Sequence, residues 1–162
     1  MTNRITDADL QNALPDVKSD QLLPAILSGS TIHRDTWGIP HITADNESDL
    51  FFAQGFATAQ DRLFQMDYDR LRCLGRSSEH LGELGLSQDR LMRQRSLHIV
   101  SKRDLEVCSP EAKAMISAYT AGVNAFIESD APLPVEYKLT DTKPGKWEDW
   151  HCILVYKVRN TA

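Results

Sequence analysis

Trp37-Gly38-Ile39-Pro40 is the tightest constraint on what this chain can fold into. Proline fixes its own φ and drives Ile39 out of the helical region, and glycine tolerates a turn, so no helix runs through this point. Thr31-Ile32-His33-Arg34-Asp35 before it alternates crudely and His41-Ile42-Thr43-Ala44 after it is β-prone. Two short strands joined or bent at Gly38–Pro40 are therefore predicted. Asp45-Asn46-Glu47-Ser48 then offers N-cap side chains and acids for a helix start, where free N–H groups and the positive dipole end favour a carboxylate.

From Leu50 onward Phe52, Phe56, Ala59, Leu63 and Met66 recur at steps of three and four, and Phe64, Tyr68, Leu71 and Leu74 form a second row beside them. Two apolar rows predict a helix buried on more than one side. Gly55 with Ala53, Ala57 and Ala59 keeps the early turns thin enough for a neighbouring element to come close. Gln60, Asp61, Arg62 and Gln65 sit between the rows, so the pattern predicts a buried hydrogen-bonded network there. Replacing Gln60 or Asp61 by Ala should then cost about 1 kcal/mol or more.

With 162 residues, 41% hydrophobic and 25% charged, the chain can build one globular core. A net charge of −5 offers no electrostatic footprint for nucleic acid, and no apolar run approaches the roughly 20 residues that span a bilayer. Cys73, Cys108 and Cys152 are odd in number and far apart, which indicates free thiols rather than a disulfide framework or a zinc site. Residues 1–14 lack the continuous apolar core of a secretory signal, favouring the cytoplasm, with a periplasmic or secreted location open if the chain is processed.

Residues 1–28 read as a leader packing on the domain formed by residues 29–162, broken by Pro15 and Pro24, with Leu22, Leu23, Ile26 and Leu27 offering one short amphipathic helix. Gly75-Arg76-Ser77-Ser78 predicts a break, Gly82 and Gly85 suit helix ends, and Ser87 or Asp89 opens a helix continuing to about Val100 or further. Ser109-Pro110-Glu111 combines a hydroxyl cap, proline where no N–H is needed, and a first-turn acid, predicting a helix to about Glu128. Val135 to Leu139 reads as short and extended. Trp147 begins a last apolar helix through Ile153, Leu154, Tyr156 and Val158, which stops at Ala162 with no cap, as though the domain continued elsewhere.

No nucleophile pattern stands out: Ser77 and Ser78 lack a G-x-S-x-G elbow, and Ser109 is explained as a cap. Alternation puts His33 and Asp35 on one strand face with His41 across the kink, but that spacing is not diagnostic of a metal, and no metal site is assigned. Asp61 held by Arg62 could serve as a general base in another enzyme, although a structural network explains both better. Arg90, Arg93, Arg95, Lys102 and Arg103 read as a solvated face rather than an anion site.

Gly38-Ile39-Pro40-His41-Ile42, then Gly55-Phe56, then Ala59-Gln60-Asp61-Arg62-Leu63-Phe64-Gln65-Met66 resemble the α segment of the penicillin acylase (penicillin amidase) family of N-terminal nucleophile hydrolases. Ser109-Pro110-Glu111, Gly122-Val123-Asn124-Ala125 and Lys146-Trp147-Glu148 extend the likeness, which runs from about Gly29 to Asn160. The resemblance implies an α+β class, mainly helical in this chain, as the α segment wrapping an αββα sandwich formed by a β segment of the same precursor. It implies hydrolysis of a linear amide bond in a small N-acyl substrate by a serine that opens the β segment. This chain would then carry no catalytic residue and would expose a large apolar patch. Gly38, Pro40, His41, Gln60, Asp61, Arg62 and Gln65 would be scaffold, the helix beginning at Trp147 part of an acyl-binding wall, and Asn160 a substrate-binding position. Calcium, bound in some relatives, could be held in the complete enzyme, with none in this chain. A truncated, inactive fragment and a stand-alone helical binding module remain the alternatives.

Overall fold

The structure, a computed structural model, describes residues 4–15 and 27–160. In chain order its elements are α1 (Asp7–Asn12), β1 (Ser30–Arg34), β2 (Pro40–Ala44), α2 (Glu47–Leu74), α3 (Ser78–Leu81), a 3₁₀ turn (Gly82–Gly85), α4 (Leu86–Arg95), α5 (Leu97–Val107), α6 (Pro110–Ile127), α7 (Val135–Thr140) and α8 (Asp149–Asn160). The class is α+β and mainly helical, with a single two-stranded sheet among the described residues. None of the described helices is long and apolar enough to cross a membrane.

β1 and β2 pair antiparallel, Ile32 opposite Ile42 and His33 opposite His41, and lie against α2 through their partly buried alternate residues. The kink is a hairpin turn. Asp35 accepts the N–H groups of Trp37 (2.8 Å) and Ile39 (3.0 Å), Gly38 takes φ +78°, and Pro40 stands at the first residue of its strand. The Ile39 N–H first, then the His41 ring and the Trp37 N–H, hold the Asp35 carboxyl below its usual range. Asn46 caps α2 by accepting Asp49 N–H, and Gly75 ends it in the left-handed conformation at φ +67°.

The middle of the molecule is the crossing of α2 and α6, and glycine makes it. A Cβ on Gly55 would lie 2.0 Å from the Tyr119 carbonyl oxygen, and one on Gly122 would lie 1.9 Å from that of Phe52. Around this contact Phe56, Leu63, Val123, Phe126, Tyr137 and Trp147 close the main core, with Phe56 and Phe126 edge to face at 5.5 Å. A smaller cluster of Cys73, Met92, Leu154 and Val158 joins the end of α2 to α4 and α8.

Three expectations need correction. The helix expected from Ser87 or Asp89 to Val100 is two helices, α4 and α5, because Ser96 adopts φ +50° and its Oγ donates to Arg93 O (3.0 Å); α5 thereby turns onto α8. Val135–Leu139 is not extended but helical. Tyr137 is 3% exposed, edge to face on Phe64 at 5.1 Å, and that burial outweighs local β preference. The long helix α2 is not regular: Arg62 has φ −139° and ψ 19°, which kinks it. The helix expected around Leu22–Leu27 falls largely outside the described residues. Near the N-terminus α1 meets α7 through Asp9 and Lys138 Nζ at 2.7 Å.

Candidate functional site

The residues expected to form a buried network divide at the kink of α2. Arg34 reaches across from β1 and donates to Asp61 (2.8 and 3.1 Å), to Gln60 Oε1 (2.8 Å) and to Gly38 O (2.9 Å). Gln60 is half-buried, whereas Asp61, Arg62 and Gln65 are exposed in this chain, so burial of all four is corrected here. The organising cation is Arg34, not Arg62. Strand alternation could have found it, since Arg34 shares its face with Ile32. His41 Nε2 lies 3.2 Å from Asp35 Oδ2, and His33 stands on the exposed strand face opposite His41. No three His, Cys, Asp or Glu side chains converge for a metal among the described residues.

The buried network lies one turn further on, and sequence reading missed it. Asp67 accepts from Arg70 Nε (3.0 Å), and Tyr137 OH lies 3.4 Å from its other oxygen; these side chains are almost wholly buried. Burial, and secondarily the Asp67 charge, push the Tyr137 hydroxyl well above its usual range. On the same helix Asp69 accepts from Arg159 of α8, tying the last turn of that helix down.

Trp147 is anchored by Asn124, whose amide donates to Trp147 O (2.9 Å) and accepts Trp147 N–H (2.9 Å). His151 Nδ1 accepts Glu148 N–H at 2.9 Å, so that nitrogen is unprotonated, and burial pulls the imidazole down to about 4. Cys152 accepts Trp147 Nε1–H at 3.3 Å and burial pushes its thiol up; Cys73 is pushed up to about 11, again by burial. Both cysteines are thereby kept from the thiolate form a nucleophile needs.

Between α2, α6 and α8 runs an open, largely apolar cleft of about 580 Å³. Phe51 and Met66 come from α2, Met115, Ile116 and Tyr119 from α6, and Cys152, Val155 and Tyr156 from α8, with Trp147 just before it. Arg62 and Gln65 stand at the kink beside it, and Asp69 and Arg159 at its other side. Asn160 is exposed at the end of α8, its Nδ2 donating to Tyr156 O (2.7 Å), and is not among the cleft's lining residues. Such an arrangement can bind apolar groups.

A penicillin amidase family profile matches residues 30–161. The chain belongs to the penicillin amidase family. It is 47% identical to the penicillin acylase 2 proenzyme of Pseudomonas sp. (strain SE83) over 91% of this chain and 19% of that protein. It is 30% identical to the acyl-homoserine lactone acylase QuiP of Pseudomonas fluorescens (strain Pf0-1) over 93% of this chain and 18% of that protein. The thermostable penicillin G acylase of Alcaligenes faecalis shares the fold at TM-score 0.74 and 28% identity, covering 82% of this chain and 72% of that one. The chain therefore spans about a fifth of the length of these curated relatives.

Proposed function

We propose that this penicillin amidase family chain is the α segment of an acylase that hydrolyses a linear amide C–N bond in a small N-acyl compound. The observation that carries the reading is its 47% identity to one stretch of a penicillin acylase proenzyme about five times as long. The chemistry would come from the β segment of the same precursor. A leading serine hydroxyl attacks the amide carbonyl, and its own α-amine, with a reference pKa near 7.7–8.0, takes the proton and passes it to the departing amine. Water then hydrolyses the acyl ester.

This chain's part is to shape and support. The exposed side of α8, with Tyr156 and Asn160 one turn apart, contributes to the wall that receives the acyl group. The hairpin clamp at Arg34 and the Asp67–Arg70–Tyr137 network hold α2 on either side of its kink. On this reading calcium belongs to the complete enzyme, and no step is assigned to it.

The test is to assay this chain alone, and then co-expressed with the rest of its precursor, for release of acid from a phenylacetyl anilide and from an acyl-homoserine lactone. Turnover only with the second segment is expected. Hydrolysis by the purified chain, with no companion polypeptide detectable by mass spectrometry, overturns the reading.

A further inference from the structure

The basic stretch expected to be a solvated face is charged out of proportion to the rest of the chain. Residues 86–103 hold five of the 18 Lys and Arg but one of the 23 Asp and Glu, a net +4 in a chain of net −5, which leaves −9 for the remainder. The one acid, Asp89, is buried and its oxygens accept the N–H groups of Ser77 and Ser78 and the Ser78 hydroxyl, so it pairs with none of the five cations. Arg93 donates to Gly75 O, and Lys102 lies over the Trp150 ring at 4.6 Å. Arg90, Arg95 and Arg103 are exposed, with no ion pair or hydrogen bond to a described residue.

Aliphatic side chains stand among these cations on α5. That helix packs on α8 through the side that holds the fully buried Ser101, with Asp104 paired to Lys157. On the side turned away, Ile99, Arg103 and Val107 follow at four-residue steps with Val100 beside them, and Ile99, Val100 and Val107 are 46%, 40% and 84% exposed. Arg95 stands just across the elbow at Ser96. Glu106 is the one exposed acid on α5, and Lys113 stands beside it, donating to its carbonyl (2.7 Å). Single exposed aliphatic residues are ordinary, but a row of them interleaved with unpaired guanidinium groups suits a surface that is both anionic and partly apolar.

We propose that the outer face of α5, with Arg95 at the elbow, is a contact site for an anionic lipid surface. Arg95 and Arg103 meet headgroup phosphates, and Ile99, Val100 and Val107 enter the headgroup boundary. The −9 carried elsewhere is repelled by such a surface, which selects this side of the molecule and orients the contact. A single-stranded nucleic acid fits less well, because it asks for exposed aromatic rings to stack on, and the nearby Trp150 is covered by Lys102. Nothing in this contact depends on amide hydrolysis.

Sedimentation of the protein, co-expressed with the rest of its precursor, with vesicles of phosphatidylcholine alone and of phosphatidylcholine with an equal share of phosphatidylglycerol tests this. Binding to the anionic vesicles alone is expected, lost as salt rises towards about 1 M, where the Debye length is about 3 Å. Arg95→Glu with Arg103→Glu should weaken it about 25-fold or more, at about fivefold for each cation lost. Ile99→Ser with Val107→Ser, which leaves the charge unchanged, should weaken it about tenfold. Leu84→Ser, an exposed apolar position on the 3₁₀ turn, should bind as wild type. No binding by the wild type, equal binding to neutral vesicles, or wild-type binding by the serine pair overturns the lipid contact. The last result, with full competition by heparin, makes the face a site for soluble polyanions instead. Amide hydrolysis assayed in the same samples reports on the acylase reading, and its absence leaves the vesicle result standing.

Discussion

Two arginine–carboxylate pairs meet on the same long helix within two turns of each other, and their carboxylates sit in different solvents. Arg34–Asp61 lies on the hairpin side of the kink, with the Asp61 side chain 27% exposed and that of Arg34 only 5%, the latter also bonded to Gln60 and to a backbone carbonyl. Asp67–Arg70 lies on the far side, 3% and 7% exposed, with Tyr137 closing over it and Gly145 packed against the guanidinium. Water can take over from Arg34 at the Asp61 carboxylate, and Gln60 and the Gly38 carbonyl remain for Arg34 if Asp61 is lost, but nothing replaces a member of the second. Burial of the carboxylate, and the acceptors left to the arginine, therefore set what each pair is worth.

The largest effect should follow removal of Arg70. Arg70→Ala leaves Asp67 buried with one hydroxyl neighbour, and a loss of about 3–5 kcal/mol is expected in urea melts of the assembled protein. Arg70→Met combined with Asp67→Leu should recover most of that, since it removes the stranded charge along with its partner. A single-site loss below about 1 kcal/mol breaks the contrast.

His151 reports on the same dry region, held down to about 4 first by burial and then by the Arg70 charge. Between its ordinary 6.5 and 4 the unfolded chain binds a proton that the folded chain refuses, so stability falls as pH drops through that window, by about 3 kcal/mol at its foot. Asp49 and Asp89 act elsewhere. Burial raises both, but the N–H of Leu27 with the Asn46 amide in one case, and the Ser78 hydroxyl and N–H in the other, outweigh it and hold them low, so their contributions are lost only below about 3.8. His151→Gln should flatten the upper window alone, and NMR titration of Arg70→Ala should show the imidazole moving up.

What could be read from the letters was whatever local chemistry decides. Ser109-Pro110 and Asn46 start helices, Gly75 ends one, and Gly55 marks a close crossing, because each acts within a turn or through an absent side chain. The kink at Arg62, the left-handed Ser96 and the helix at Val135–Thr140 were not legible, since tertiary contacts decide them. The same holds for the site. The apolar row of α8 and the polar cluster at Gln60–Gln65 stood out, but the letters carry no depth, and the cluster chosen as buried proved to be the wetter of the two. Asp67 and Arg70 look like any helical i,i+3 pair until Tyr137 is placed over them, 70 residues away.

The smallest effect sharpens the comparison most. Asp61→Ala should cost about 1 kcal/mol, because the nearly buried Arg34 loses its charged partner but keeps Gln60 and Gly38 as acceptors, and Arg34→Ala about 1–2 kcal/mol, because it removes four bonds to three partners together. A double-mutant cycle isolates the coupling between them, expected at about 0.5–1 kcal/mol. Raising salt to about 1 M shortens the Debye length to about 3 Å and should weaken this coupling, through the more open Asp61 carboxylate, while leaving that of Asp67 and Arg70 nearly unchanged. Equal salt sensitivity in the two cycles would mean that both carboxylates see the same solvent, and their exposure could no longer explain why the pairs differ.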